Sequence, residues 1–471
     1  MVRNFNITLF LFLILGASSF AQDEKQDSSS VNQELQVEYG AFASDPSGLP
    51  FWMTSNNSGR FTNEQTGTFY SLIHYNVNKP ITDWLKTGLE VEGIASVSNY
   101  RLYGSVIQAN YTITTPIVKV TVGLDEEFMG LRDNLLSLGS LVYGNNARPI
   151  PKIRIESNGW LESPILSKHF SFKAYLAHGW FDKNRTFSGV FLHQKYFYGR
   201  AQFFKKKFEV VAGLNHNAMW GGTNINTESI QPGGLGNYAR IFFGASGGKD
   251  ALQTDQKNAL GNHLGSYDIN TSYRFKHFKV TNYWQFLWED TSGLTPWNWR
   301  DGMAGLSVEL NEKGIIDQFV LEVVRTNDQD AYKLPDNGIP IIEPDDFFNN
   351  SVYTSGWTYN DRVIGTPMFL SFNDPVTARN YIQNKVNAVN VGVGGHYKSA
   401  SYTLRYTEFE NHGRVKTPIV PSLFVKSVDL TINYQLKNQS SVGFRAVYQD
   451  SNFGTRSNLG IHLSYRRSFG L

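Results

Sequence analysis

Three stretches of this chain join aromatic planes to charged or amide side chains at close spacing. Leu294-Thr-Pro-Trp297-Asn-Trp299-Arg300-Asp301 sets two indoles beside an Arg–Asp pair, and Gly356-Trp357-Thr-Tyr359-Asn360-Asp361-Arg362 repeats the mixture. Trp220-Gly-Gly places another indole at the head of a Gly-rich stretch. That chemistry suits sugars, whose C–H faces stack on aromatic planes while their hydroxyls bond to carboxylates, amides and guanidinium groups. Trp220, Trp297, Trp299, Trp357, Tyr359, Asp361 and Arg362 are therefore the candidate carbohydrate-binding residues. The alternative for each is that it packs a folded loop and touches no ligand.

Other chemistries find little support. The chain has no cysteine, which excludes disulfides, thiolate metal ligands and a thiol nucleophile. H-E-x-x-H does not occur, G-x-S-x-G is met only as Gly244-Ala-Ser-Gly-Gly248 in a Gly-rich stretch that reads as a flexible surface loop rather than a strand-to-helix elbow, and the ten histidines lack ligand spacing. The run at 244–249 resembles a phosphate loop, but Phe243 stands where its first Gly belongs and Asp250 follows Lys249. Asp125, Glu126 and Glu127 could supply an acid–base pair, although a solvated loop explains them as well. Asp345 and Asp346 with Glu343 could attract calcium, but the spacing fits no EF-hand. No catalytic residue, cofactor or metal is assigned, and the chain does not read as an enzyme.

The elements that must position these residues have a period of two. Tyr267, Ile269, Thr271, Tyr273 and Phe275 alternate with Asp268, Asn270, Ser272 and Arg274. Val428 to Leu436 and Leu459 to Tyr465 alternate in the same way. Eighteen such segments run from 35–43 to 456–468, and many approach the ten tilted residues that cross a bilayer. Every second connection is short, among them TTPI, KKK at 205–207, KHF, NEKG and LKNQS. The intervening ones are often long, notably 125–149, 217–262 and 327–385. Short turns on one rim and long loops on the other are the outer-membrane arrangement, with both termini in the periplasm. The fold class is thus all-β: a transmembrane antiparallel β-barrel of about 18 strands, with long extracellular loops and short periplasmic turns. Its inner face is polar, so the interior is expected to be hydrated rather than a dry core. Trp84, Trp160, Trp180, Tyr283, Trp284 and Trp288 sit at strand ends and are expected to form interfacial girdles.

Bulk properties agree. In 471 residues, charged residues make up 18% and aromatics 14%, too apolar for disorder. A mean hydropathy of −0.32 is too polar for a helical membrane protein. The net charge of +2 gives no reason to expect a nucleic-acid partner. Residues 1–21 read as a secretory signal, with Arg3, an apolar run from Ile7 to Leu15, and Ser19 and Ala21 before the cut. Residues 22–34 read as a flexible periplasmic segment, and 35–471 as the barrel of the outer membrane, whose lipid is one expected partner.

Several segments, in order, resemble the Wzi family of outer-membrane capsule assembly proteins. They are Asn146-Ala-Arg-Pro-Ile-Pro-Lys152, Met219-Trp-Gly-Gly222, Glu289-Asp-Thr-Ser-Gly-Leu-Thr-Pro296 and Leu321-Glu-Val-Val-Arg-Thr-Asn327. The Tyr353–Tyr359 region and the Ser468-Phe-Gly-Leu471 end are similar too. The resemblance implies an 18-stranded barrel with a lectin-like, non-enzymatic role: holding capsular polysaccharide or exopolysaccharide at the cell surface, in possible contact with the capsule export machinery. The family's founding type carries a periplasmic helical bundle ahead of its first strand, and residues 22–34 are too few for one. A porin-like channel for small solutes is the alternative function, and folding of the 327–385 loop into the mouth would oppose it.

Overall fold

A computed structural model describes residues 31–131, 135–289, 295, 299–329, 331–333, 340–342, 344–374, 379–453 and 457–471. The expected signal peptide, most of the 22–34 segment, Trp297 and Glu343 lie outside these residues.

Eighteen strands run up and down in sequence. They are β1 (Asn32–Ala43), β2 (Gly67–Thr82), β3 (Leu85–Ser98), β4 (Arg101–Thr114), β5 (Val118–Leu124) and β6 (Lys152–Ser157). Next come β7 (Ser167–Trp180), β8 (Phe191–Phe203), β9 (Phe208–Trp220), β10 (Asn262–Arg274), β11 (Phe278–Glu289) and β12 (Gly302–Leu310). The set ends with β13 (Gln318–Arg325), β14 (Val386–Tyr397), β15 (Ala400–Gly413), β16 (Pro418–Gln435), β17 (Ser440–Ser451) and β18 (Ser457–Gly470). Each pairs antiparallel with the next. β1 closes on β18 from Glu34↔Gly470 to Ala43↔Ile461, so the sheet has no edge. Closure is what a bilayer demands, because lipid cannot satisfy free backbone N–H and C=O groups. β1 begins at Asn32, paired with Asn78 of β2, so the end of the expected flexible segment is strand.

The alternation sorts the two faces. Tyr39, Phe69, Phe197 and Leu463 point outward and are 59%, 76%, 56% and 53% exposed, forming the lipid-facing band. Glu38, Glu92, Asp268, Glu322 and Asp429 point inward and are buried. Trp84 and Trp180 are exposed at opposite rims, as girdle residues should be. Tyr283 and Trp288 are not girdle residues. Tyr283 turns inward to donate to Glu322 Oε1 at 2.7 Å, and Trp288 is stacked on His216 and buried.

The expectation of a hydrated interior fails in the outer half of the lumen. Loop L1 (44–66), loop L3 (125–151) and loop L7 (326–385) turn inward and pack together. Trp52, Leu141, Val142, Phe347, Phe348, Trp357, Met368 and Phe369 form their common core. L1 contributes a single helical turn, α1 (Phe51–Thr54). Loop backbone inside a barrel needs hydrogen-bond partners, and the polar inner wall supplies them. Glu322 accepts from Leu138 N at 2.7 Å, Gln285 from Leu141 N at 2.8 Å and Gln449 from Phe51 N at 2.6 Å. Asn390 donates to Leu136 O at 2.8 Å, and Arg445 donates to Trp52 O at 2.8 Å. Much of the inward polarity therefore serves the plug rather than water. Approach is close: a Cβ at Gly365 would overlap the Leu141 carbonyl oxygen, and one at Gly460 on β18 would overlap the Met53 sulfur.

Candidate functional site

The acidic run of L3 sets the position of the plug. Asp125 pairs with Arg154, Glu126 accepts from Arg60 at 2.5 Å, and Glu127 pairs with Lys152 and accepts from Arg154 at 2.7 Å. These carboxylates are fixed in ion pairs with the wall and with L1, so the solvated-loop reading is corrected. Asp346 is likewise committed to Arg414 and to Asn384, which donates at 2.9 Å, rather than facing an open calcium site.

Among the described residues, two concavities flank the packed plug. The outer one, about 300 Å³, opens at the extracellular rim between L1, L3 and the adjoining ends of β3 and β4. Tyr103 supplies an aromatic ring, Gln65, Ser96 and Ser105 supply amide and hydroxyl groups, and Arg60 and Arg148 supply cations. Burial disfavours a charge on Arg60, but Glu126 and Glu92 outweigh it and hold the guanidinium above the ordinary arginine range. Arg148 is exposed and has no carboxylate partner among the described residues. An acidic sugar could meet this cation directly. These lining residues escape the sequence pattern used above, because they come from four separate elements. Arg148 was in view within Asn146-Ala-Arg-Pro, a segment that marks family likeness rather than a site.

The inner concavity, about 570 Å³, lies beneath the plug toward the periplasmic rim. Arg405 and Arg445 both donate to Asp429, at 3.1 and 2.7 Å, and Arg466 donates to Glu38 at 2.7 Å. The Arg405 guanidinium lies 4.7 Å from the Trp52 ring centre, capping the vestibule with the underside of L1.

The candidate residues are divided among several places. Trp357 is fully buried in the plug against Phe181, at 6.3 Å between ring centres. Trp220 is 4% exposed and covered on the outer wall. Protein covers both rings, so neither presents a free plane to a sugar in this conformation. Arg362 is a latch: it donates to Thr54 O at 2.6 Å and to Phe61 O, tying L7 to L1. Burial, then the nearby charge of Arg148, pulls its guanidinium below the ordinary range. Tyr359 is buried beside that latch, in a short hairpin pairing Thr358–Tyr359 with Arg362–Val363. Asn360 and Asp361 form its turn, at φ of 47° and 63°, and Asp361 is exposed. The Asn360 amide donates to Asp182 at 3.2 Å. Trp299 is 62% exposed on the rim, with the Arg300 guanidinium 5.7 Å from its ring centre. The structure thus brings Tyr359, Asp361 and Arg362 together and leaves Trp220 apart from them.

The sequence matches a family model described as capsule assembly protein Wzi over residues 36–393. Among solved structures, one similar barrel is from Escherichia coli and is described as Wzi, an outer membrane protein involved in group 1 capsule assembly that is a carbohydrate-binding β-barrel. It is 12% identical, with 92% of this chain and 85% of that chain covered and a TM-score of 0.61. Pseudomonas aeruginosa OccK2, solved with glucuronate, is 9% identical with 94% and 97% covered and a TM-score of 0.49. Acinetobacter baumannii OccAB4 is 10% identical with 94% and 98% covered and a TM-score of 0.46. No individually curated protein matches the sequence.

Proposed function

The chain belongs to the Wzi family of capsule assembly proteins, and from that premise we propose that it binds a surface polysaccharide at its extracellular face and so anchors the polymer to the outer membrane. The observation that carries this reading is the division of the lumen. The mouth is filled by L1, L3 and L7, while the rim offers Tyr103, Arg148, Trp299 and Asp361 to the exterior. Such a face suits many weak contacts along a repeating polymer, which multivalency makes strong without a deep pocket. Trp220 and Trp357 enter the proposal as supports for the loops, and Tyr359 and Arg362 as the latched hairpin that presents Asp361. The polymer reaches this face from the capsule export machinery, with outer-membrane lipid around the barrel. A small-solute channel is disfavoured by the same plug.

The test replaces Tyr103, Arg148 and Trp299 together with Ala in cells that make the native polymer. The expected outcome is normal barrel abundance with polysaccharide shed into the medium. Unchanged cell-bound polysaccharide would remove the site from this reading. Planar-bilayer recordings of the purified barrel should show no large steady openings.

A further inference from the structure

The outward face of β7 to β10 changes character toward the extracellular rim. At mid-height Phe197, Leu214 and Ile269 are exposed to lipid. Nearer the rim on the same face stand Lys195 and His193 on β8, His216 and Trp220 on β9, and His263 on β10. His193, His216, Trp220 and His263 are all buried. The element that covers them is the loop after β9, L5 (221–261), which turns down over the outside of the barrel. Its helix α2 (Gly234–Phe243) lies on the wall. The Tyr238 ring is 5.4 Å from His193 and 5.6 Å from Trp220, and the Phe242 ring is 5.5 Å from His193. Ile241 is buried with Ala218, Trp220, Ala251 and Leu260, and Lys195 donates to the Phe242 carbonyl.

A second stripe of α2, flanking the one that packs on the wall, is apolar as well. Leu235, Ala239 and Phe243 follow one another at i, i+4 and i+8, a single stripe of the helix. Leu235 is 89% exposed and Phe243 is 79% exposed. Arg240 is the helix's one charged residue, and it is turned back onto the loop, donating to Ser246 O at 2.7 Å. A helix facing water would carry polar groups on that stripe. This one lies on the outer wall of the barrel, on the rim side of the exposed Phe197 and Leu214.

We propose that α2 is a second membrane contact of the protein: an interfacial helix, docked on the barrel's own wall, that sets Leu235 and Phe243 among the acyl chains of the outer leaflet. The occupant of the stripe is lipid, because the stripe continues the lipid-facing band and carries no charge. L5 also shields the histidines and Lys195 of the wall from hydrocarbon, where such groups are costly. The α2 segment of L5 then lies in the membrane surface rather than in the polymer-binding face. The inference is independent of the carbohydrate reading.

The absence of cysteine makes the test direct. Leu235→Cys, Phe243→Cys, Phe197→Cys on the lipid-facing wall and Glu228→Cys in exposed L5 are each labelled with an environment-sensitive fluorophore. The full barrel is reconstituted in phosphatidylcholine–phosphatidylglycerol vesicles, and each variant is first checked for heat-modifiable gel mobility. Labels at 235 and 243 are expected to be quenched by shallow nitroxide lipid several-fold more than the label at 228. They should also be several-fold less accessible to aqueous iodide, as at 197. Iodide access equal to that at 228 would overturn the proposal. Protection from both quenchers would also overturn it, because a second protein copy would then cover the stripe.

Discussion

Glu322 of β13 shows how one inward carboxylate can hold a loop. It accepts from Leu138 N and Ser137 Oγ of L3, and from Tyr283 and Asn390 of the wall, at 2.6 to 3.0 Å. Glu322→Leu removes that acceptor, and a buried donor left unmet costs about 1–3 kcal/mol. The expected outcome is an intact barrel whose L3 becomes sensitive to external protease, read by gel after limited digestion. Asp301 bears on pH. Burial pushes its carboxyl up to about 6, against the pull of the Gln329 and Asp328 amides and of Arg325. The folded value lies above the ordinary 3.8, so the stability this group contributes is complete below about pH 4 and lost as pH rises through about 6. The thermal midpoint of the wild type should therefore fall between pH 4 and pH 7 relative to that of Asp301→Asn. At this scale the sequence was a partial guide. A tryptophan among glycines and polar residues has the same local pattern whether its ring meets sugar or, like Trp357, meets Phe181. The acids at 125–127 look like a solvated run until Arg60, Lys152 and Arg154 are placed around them.

The strands were legible because lipid and water impose opposite demands on alternate residues. The expected segments 190–203 and 386–398 are met by β8 (Phe191–Phe203) and β14 (Val386–Tyr397), each differing by a residue at one end. The courses of the loops were not legible. Nothing in the periodicity of L1, L3 or L5 tells whether a loop turns into the lumen or down the outer wall, since that depends on partners distant in sequence. Phe51, for example, donates to Gln449, and Tyr238 packs on His193. L1 therefore went unnoticed as part of the closure. Replacing residues 45–65 by a short Gly–Ser turn should remove α1, the Arg362 acceptors Thr54 O and Phe61 O, and one wall of the outer pocket. The expected result is a barrel that still inserts but shows conductance steps in planar bilayers that the wild type lacks.

Taken whole, the molecule is a closed wall around a packed outer half and a charged inner vestibule. Closure depends on the seam in which β1 meets β18, with Leu35 opposite Phe469. Removing Ser457–Leu471 would leave β1 and β17 as open edges, and lipid cannot satisfy such edges. The truncated chain is expected to lose its heat-modifiable, compact gel band and to fail to accumulate in membranes. The plug has a consequence for the cell as well. Among the described residues the shaft is filled at its top by packed protein, so a drug or toxin arriving from the medium meets a lid before it reaches the inner chamber. A bacterium could crowd its surface with copies of this protein without loosening its permeability barrier, a freedom that an open pore of the same girth would deny it.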